Sequence, residues 1–149
     1  VSIQPPFSEI TKNLHVTMAQ LPMLAKTLLA LHNSADNLLT LHGVTSMQAL
    51  RLVLPYIDNP TRAISYYTHA ILALYVALEM PDIEPIIYHP VDDLLSWCEI
   101  QAQSIQSNND HTIKLVYSCL QEHETYADMD YQFMATKTLM PLMHSRVSA

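Results

Sequence analysis

Histidine is the residue type in this sequence best suited to bind a metal ion, and the chain of 149 residues contains eight. Histidine ligands that lie close in sequence usually occur as HExxH or as a pair four residues apart, and cysteine ligands as CxxC. None of these patterns occurs. A metal site in this chain would therefore have to be assembled from distant parts of the sequence.

Three of the histidines lie in surroundings that favour burial. His42 is predicted inside a helix beside the only glycine, His69 lies in the most apolar segment, and His111 starts a helix. Burying an imidazole costs free energy unless its ring nitrogens find partners. Those partners are a metal ion or ordinary backbone and hydroxyl groups, and spacing alone favours the second alternative. Solvated or capping roles are predicted for His15, His32, His89, His123 and His144.

Lys114 is the only charged residue between Asp110 and Glu122. On a helix it would lie about 60° around the axis from His111, so both side chains can face one site. Burial of an ammonium group is costly and lowers the pKa of the amine. A buried lysine can therefore be neutral, and a neutral amine can capture carbon dioxide. The resulting carbamate would be a carboxylate-like metal ligand. The alternative is a stem that packs on apolar surface while the ammonium reaches water.

Apolar residues at helical spacing predict the elements that position these side chains. The predicted fold class is all-α, a compact array of about six helices in one domain over residues 8–149, after a linker over 1–7. The helices are predicted over residues 8–33, 34–56, 60–80, 90–105, from 110 through 120, and from 128 to a disturbed end at 141. The third is apolar on most sides and is expected in the middle of the bundle.

Composition excludes several classes of function. A single glycine leaves no glycine-rich loop for a nucleotide, so no nicotinamide or flavin would be bound through a motif in this chain. A net charge of −7 with seven basic residues excludes an extended basic face for nucleic acid. The longest uncharged stretch, residues 63–78, is shorter than the roughly 20 residues of a membrane span. We therefore expect neither a nucleic-acid nor a membrane partner.

Cysteine usage predicts the compartment. Cys98 and Cys119 lie in apolar helical stretches and are predicted to be buried rather than to form a disulfide framework. That usage is typical of a reducing environment, so a cytoplasmic location is predicted. The chain begins with Val1 and a linker-like segment, and we expect it to be part of a longer helical protein.

Three blocks of the sequence resemble the questin oxidase-like family in their order and spacing as well as in their residues. They are LHGVTSMQALRLVLPYI at 41–57, THAILALYVAL at 68–78 and NDHTIKLVYSCLQEHE at 109–124. The first and third blocks are the more specific. The resemblance is to the C-terminal half of the family.

The resemblance implies an all-α oxygenase-type protein. Fungal relatives open or oxidise anthraquinone rings with molecular oxygen and NADPH, which implies a hydrophobic polycyclic aromatic substrate and NADPH as an external reductant. It also implies a non-haem iron (Fe²⁺) centre with several histidine ligands and, in some members, a carboxylated lysine. By motif position, the metal ligands would be His42, His111 and Lys114, with His69 as the less secure fourth. Thr45 or Tyr67 would orient a ligand.

The N-terminal histidine blocks of the family, NH and FHxxI, have no counterpart in this sequence. The remaining ligands would then come from a missing N-terminal half or from a partner chain, or this version does not bind iron. The alternative function is a non-catalytic helical packing or interaction module. In that module the histidines and the lysine are core residues, and an exposed apolar face packs on a missing domain.

Overall fold

The computed structural model describes residues 16–87 and 94–147, and the side chains as far as residue 140. Within these residues it contains the short 3₁₀ helices Met18–Gln20 and Leu54–Tyr56 and six α-helices: α1 (Leu21–Ala35), α2 (Leu38–Val53), α3 (Pro60–Ala77), α4 (Trp97–Gln106), α5 (Asp110–Tyr126) and α6 (Asp130–Val147). No strand occurs in the same ranges. The predicted all-α class and the predicted number of helices are confirmed.

Two groups of buried apolar residues form the core. The first joins α1, α2, α4, α5 and α6 through Leu29, Leu41, Val44, Ile100, Leu115, Val116, Cys119, Tyr131, Met134, Ala135 and Leu139. The second joins α1 and α2 to the first turns of α3 through Leu21, Ala25, Leu28, Met47, Leu54 and Ile64. Because α1 and α2 contribute to both groups, these two helices are central to the array.

Gly43 marks the crossing of α1 and α2. A Cβ atom at this position would lie 3.3 Å from Cδ2 of Leu28, which is itself buried. The missing side chain therefore lets the two helices approach closely.

Helix α3 lies at the side of the array, and the prediction that it occupies the middle is wrong. Ile64 and Thr68 are its only buried residues. Tyr66 and Val76 are 60% and 52% exposed. The apolar composition indicates surface that could be covered, but it does not show whether the chain supplies a neighbour to cover it.

The boundary between the first two helices differs from the prediction. Helix α1 continues through Ser34, whose hydroxyl donates to the carbonyl oxygen of Ala30 within the helix. Helix α2 begins only at Leu38, because the side chain of Asn37 accepts a hydrogen bond from the backbone N–H of Thr40 and caps the new helix.

Helix α4 begins at Trp97 and not at residue 90 as predicted. Ser96 and Glu99 form a capping box at its start, and this local signal overrides the apolar spacing of the preceding residues. Residues 94–96 are not helical, and the predicted start at 90–93 lies outside the described residues. The predicted start of the first helix at residue 8 also lies outside them.

The last two helices begin close to their predicted positions. Asn109 caps α5, because its side-chain oxygen accepts from the backbone N–H groups of His111 and Thr112. The carboxylate of Asp128 accepts a hydrogen bond from the N–H of Asp130, the first residue of α6. Helix α6 continues past Pro141 to Val147, so this proline does not end it.

The two cysteines differ in burial. Cys119 is buried as predicted, whereas Cys98 is exposed because it lies on the outer side of α4; both are free thiols. Burial raises the pKa of the Cys119 thiol. Among the helices that the structure describes, none has both the length and the apolar character needed to cross a membrane.

Candidate metal and ligand site

The rings of His42 and His111 are in contact. Their centroids lie 5.9 Å apart and their planes meet at 72°, an edge-to-face arrangement. His42 lies in the first half of α2 and His111 in the first turn of α5. Tertiary structure thus brings together two of the four predicted metal ligands. His42 is exposed and His111 half-buried, so the burial predicted for His42 is wrong.

Local sequence fixes the position of His111. The side-chain oxygen of Asn109 accepts hydrogen bonds from the backbone N–H groups of His111 and Thr112, at 3.0 and 3.2 Å. These bonds satisfy two of the amide groups that a helix start leaves free. The imidazole therefore projects from a capped and ordered first turn.

An aspartate lies between two of the predicted ligands. Oδ1 of Asp110 is 3.1 Å from Nδ1 of His111, and its Oδ2 accepts a hydrogen bond of 2.9 Å from Nζ of Lys114. The hydrogen bond from Lys114 holds the pKa of this carboxyl below its usual value. Because Nδ1 of His111 faces the carboxylate, Nε2 is the nitrogen available to a metal or ligand, and a carboxylate is a common partner of metal-binding imidazoles.

The side chain of Lys114 is 58% exposed and forms an ion pair with Asp110 one helical turn earlier. The predicted neutral amine depends on burial of Lys114, and the structure leaves this side chain exposed to solvent. The arrangement corresponds to the alternative in which the ammonium reaches water. A carbamate at this position would require the amine to leave its ion pair.

The other predicted site residues lie on α2 and α3. His69 is half-buried on α3 and lines neither of the two spaces described below. The hydroxyl of Thr45 donates to the carbonyl oxygen of His42 at 3.4 Å, and that of Tyr67 donates to the carbonyl oxygen of Gly43 at 3.0 Å. Burial raises the pKa of Tyr67 to about 12. Both hydroxyls thus bond to the backbone of α2 around His42.

The donor set visible in the described residues is incomplete for a metal centre. No group of three or more His, Cys, Asp and Glu side chains within them is arranged to hold an ion. Catalytic metal sites generally use three protein ligands and keep a further position open. The imidazole pair can supply two ligands and needs at least one more. The side chains of His15, His89 and His144 lie outside the described residues.

A cleft of about 590 Å³ opens beside His111, where the end of α1 and the starts of α2 and α5 meet α6. It is lined by His32, Asn33, Asp36, Asn37, Leu38, Leu41, Asn109, His111, Thr112, Leu115, Met134, Lys137, Thr138 and Met140. The wall combines five leucine and methionine residues with nine polar or charged residues, and most of its exposed surface is apolar, as in many small-molecule sites.

A second space, a groove of about 450 Å³, lies between α2 and α3. It is lined by Leu39, His42, Gly43, Thr45, Ser46, Ala49, Tyr67, Ala70, Ile71 and Leu74. His42 lines the groove, and His111 lines the cleft. The imidazole pair therefore lies between the two spaces.

His32 is a cleft residue that the sequence prediction missed. The predicted solvated role is wrong, since the residue is only 5% exposed and its Nδ1 lies 2.9 Å from Oγ1 of Thr40. Burial lowers the pKa of this imidazole. Helical spacing predicts the burial of His32, because it lies on the same face of α1 as the buried residues Leu21, Ala25 and Leu28.

His123 is held at the end of α5 by contacts with its neighbours. His123 lies in the last turn of α5, and its Nδ1 is 2.9 Å from the carbonyl oxygen of Asp128 in the following loop. The ring also contacts Trp97, with 5.2 Å between centroids. His123 is therefore held by the loop between α5 and α6 and does not line the cleft.

The fold and this geometry define an all-α protein with a histidine pair beside a largely apolar cleft. The sequence matches the family described as Questin oxidase-like over residues 4–119. This match covers more than half of the chain, and the chain belongs to the questin oxidase-like family. Its placement in the C-terminal half of the family remains a prediction. No match was found among curated proteins or among solved structures.

Proposed function

We propose that the chain is part of a non-haem iron oxygenase of the questin oxidase-like type and that it acts on a hydrophobic polycyclic aromatic substrate. In this proposal, His42 and His111 are two of the ligands of the Fe²⁺ ion. The observation that carries the proposal is the contact between their rings, made by residues from two separate family blocks and two separate helices. Family membership supports the oxygenase class.

The remaining ligands are the open part of the proposal. His69 and a carbamate on Lys114 are the candidates within the chain, and a missing N-terminal half or a partner chain is the alternative source. The exposure of His42 leaves the imidazole pair accessible to such a further ligand.

The residues around the pair have defined tasks in this proposal. Bound iron would supply oxygen chemistry at an open coordination position. Asp110 holds Nδ1 of His111, which leaves Nε2 as the nitrogen that would bind the ion, and Leu41 and Leu115 provide apolar wall in the adjoining cleft. Reducing equivalents would come from external NADPH, since a single glycine leaves no nucleotide-binding loop in this chain.

Anaerobic reconstitution with Fe²⁺ tests the proposal. We expect bound iron, measured by mass spectrometry after desalting, and oxygen uptake on addition of NADPH and 1,8-dihydroxyanthraquinone. The His111→Ala variant should lose both the iron and the oxygen uptake. The His123→Ala variant is the matched control, because His123 contacts the loop after α5 and not the imidazole pair. Wild-type protein that retains no iron would contradict the proposal.

The alternative, a non-catalytic interaction module, is favoured by one observation: the apolar residues Tyr66, Val76 and Met80 in and after α3 are all at least half exposed. Exposed apolar surface of this kind marks interaction sites. This function predicts that loading with iron leaves the protein metal-free, while aspartate substitutions at Tyr66 and Val76 abolish co-purification with a partner and leave the fold intact.

A further inference from the structure

We propose that the cleft beside His111 binds a neutral, hydroxylated aromatic ring and that His32 accepts the hydrogen bond of the ligand hydroxyl. The proposal deepens the function proposed above and rests on it for the aromatic nature of the ligand. The hydroxyl requirement comes from the structure of the cleft itself.

The hydrogen bond between His32 and Thr40 bears on which nitrogen of the imidazole carries the proton. The hydroxyl of Thr40 donates its only proton to the carbonyl oxygen of Asn37, at 2.9 Å. We infer that the hydroxyl oxygen accepts towards His32 and that Nδ1 of the imidazole carries the hydrogen across the 2.9 Å contact. In the neutral ring, Nε2 then holds a lone pair and acts as an acceptor.

The acceptor nitrogen of His32 is available on the side of the cleft. His32 lines the cleft, whereas Thr40, which holds Nδ1, does not. The nitrogen left for a molecule in the cleft is therefore Nε2. Burial lowers the pKa of this imidazole, which keeps it neutral and favours a hydrogen-bond donor over an anion as its partner.

The apolar side chains of the cleft wall also suit a flat aromatic ring. Leu38, Leu41, Leu115 and Met134 offer apolar surface, and the volume of about 590 Å³ lies within the range of small-molecule sites. The one lysine of the lining, Lys137, already donates to the side-chain oxygen of Asn33 at 2.8 Å. A flat apolar ring with one hydroxyl could thus pack on these apolar side chains and donate a hydrogen bond to Nε2 of His32.

Equilibrium binding of two probes to the metal-free protein tests the proposal. The probes are 2-naphthol and 2-methoxynaphthalene, which share the ring system but differ in the hydroxyl proton. We expect 2-naphthol to bind about tenfold more tightly, as measured by calorimetry or by ligand fluorescence, because the ether would cover Nε2 of His32 without donating a hydrogen to it. Since no metal is present, failure of iron binding would leave this result unaffected.

Three variants assign the preference to Nε2. In His32→Asn the side-chain amide can still donate to Thr40 but offers no acceptor at the Nε2 position, so we expect the two probes to bind equally. In His32→Gln the amide oxygen can reach that position, so we expect 2-naphthol to keep its advantage. His123→Asn, the same substitution outside the cleft lining, should bind both probes as the wild type does.

Equal affinity of the wild-type protein for both probes, or no binding of either, would overturn the proposal. Equal loss of the preference in His32→Asn and His32→Gln would overturn it as well, because it would assign the effect to packing. Thermal unfolding shows which variants are folded, and the wild-type comparison of the two probes decides the matter even where a variant does not fold.

Discussion

The carboxylate of Glu122 on α5 accepts a hydrogen bond of 2.8 Å from Nε of Arg51 on α2. Glu122 is only 1% exposed, and its Oε2 has no hydrogen-bond partner among the residues that the structure describes. Burial raises the pKa of this carboxyl, and the hydrogen bond from Arg51 opposes that effect. The ion pair joins the two helices that bring His42 and His111 into contact.

Removing the arginine from this pair should strongly destabilise the protein. In Arg51→Met the carboxylate of Glu122 would remain buried without a cation, which costs about 3–5 kcal/mol in other proteins. We expect a loss of that size in the free energy of unfolding, measured by urea denaturation. The double variant Arg51→Met/Glu122→Leu should recover most of the loss, because it removes the uncompensated charge.

A surface ion pair provides the comparison for that experiment. Lys26 forms ion pairs with Asp128 and Asp130, and its side chain is about half exposed. Because solvent screens such pairs, Lys26→Met should cost less than about 1 kcal/mol. Equal losses in Lys26→Met and Arg51→Met would contradict the structural role assigned to the buried pair.

The stability of the protein should depend on the titration of His32. Burial lowers the pKa of its imidazole below the ordinary value of 6.5. The unfolded chain therefore binds a proton more readily than the folded protein does. The stabilisation due to neutral His32 is complete above pH 6.5 and is lost as the pH falls through the lower pKa of the folded state.

His32→Gln isolates this dependence, because glutamine does not titrate. Urea unfolding at several pH values from about 7.5 down to about 5 should show the wild type losing stability relative to the variant as the pH falls. The charged groups that act on the ring, Asp36 and Lys137, are unchanged in the variant. Parallel curves for the two proteins would show that His32 does not titrate differently on folding.

The cap of α5 should hold His111 in place. Asn109→Ala removes the acceptor of two backbone N–H groups and should destabilise the protein by about 1 kcal/mol. It should also weaken the contact between the rings of His42 and His111, which is measurable as an NMR cross-peak between them. Asn59→Ala is the matched control, because Asn59 caps α3 by accepting from the N–H of Arg62.

The two cap variants should therefore have similar stability but different effects on the histidine pair. The cross-peak should persist in Asn59→Ala and lose intensity in Asn109→Ala. Unchanged intensity in both would mean that the position of His111 is set by the packing of α5 and not by its cap.

Local signals allowed most of the fold to be predicted. Asn59 followed by Pro60 predicts the start of α3 correctly, because a capping side chain and a fixed φ angle act within one turn. The location of α3 could not be predicted in the same way. Its apolar faces indicate a need for burial, but coverage depends on neighbours that local sequence does not specify.

The candidate site was predictable only in part for a similar reason. The motif blocks single out His42 and His111, and the structure brings their rings together. Exposure was harder to predict, since Lys114 lies in an apolar stretch and yet faces water beside Asp110. His32 was missed because its polarity and its position near a helix end suggest solvent, while its helical phase places it in the core.

Binding of one metal ion by His42 and His111 together is the core of the proposed function. Its most direct test is an anaerobic Fe²⁺ titration of four proteins: the wild type, His42→Ala, His111→Ala and the double variant. We predict that each single substitution weakens Fe²⁺ binding at least tenfold and that the second substitution adds little, because loss of one ligand already disrupts the site. Equal Fe²⁺ affinity in all four proteins would contradict the claim.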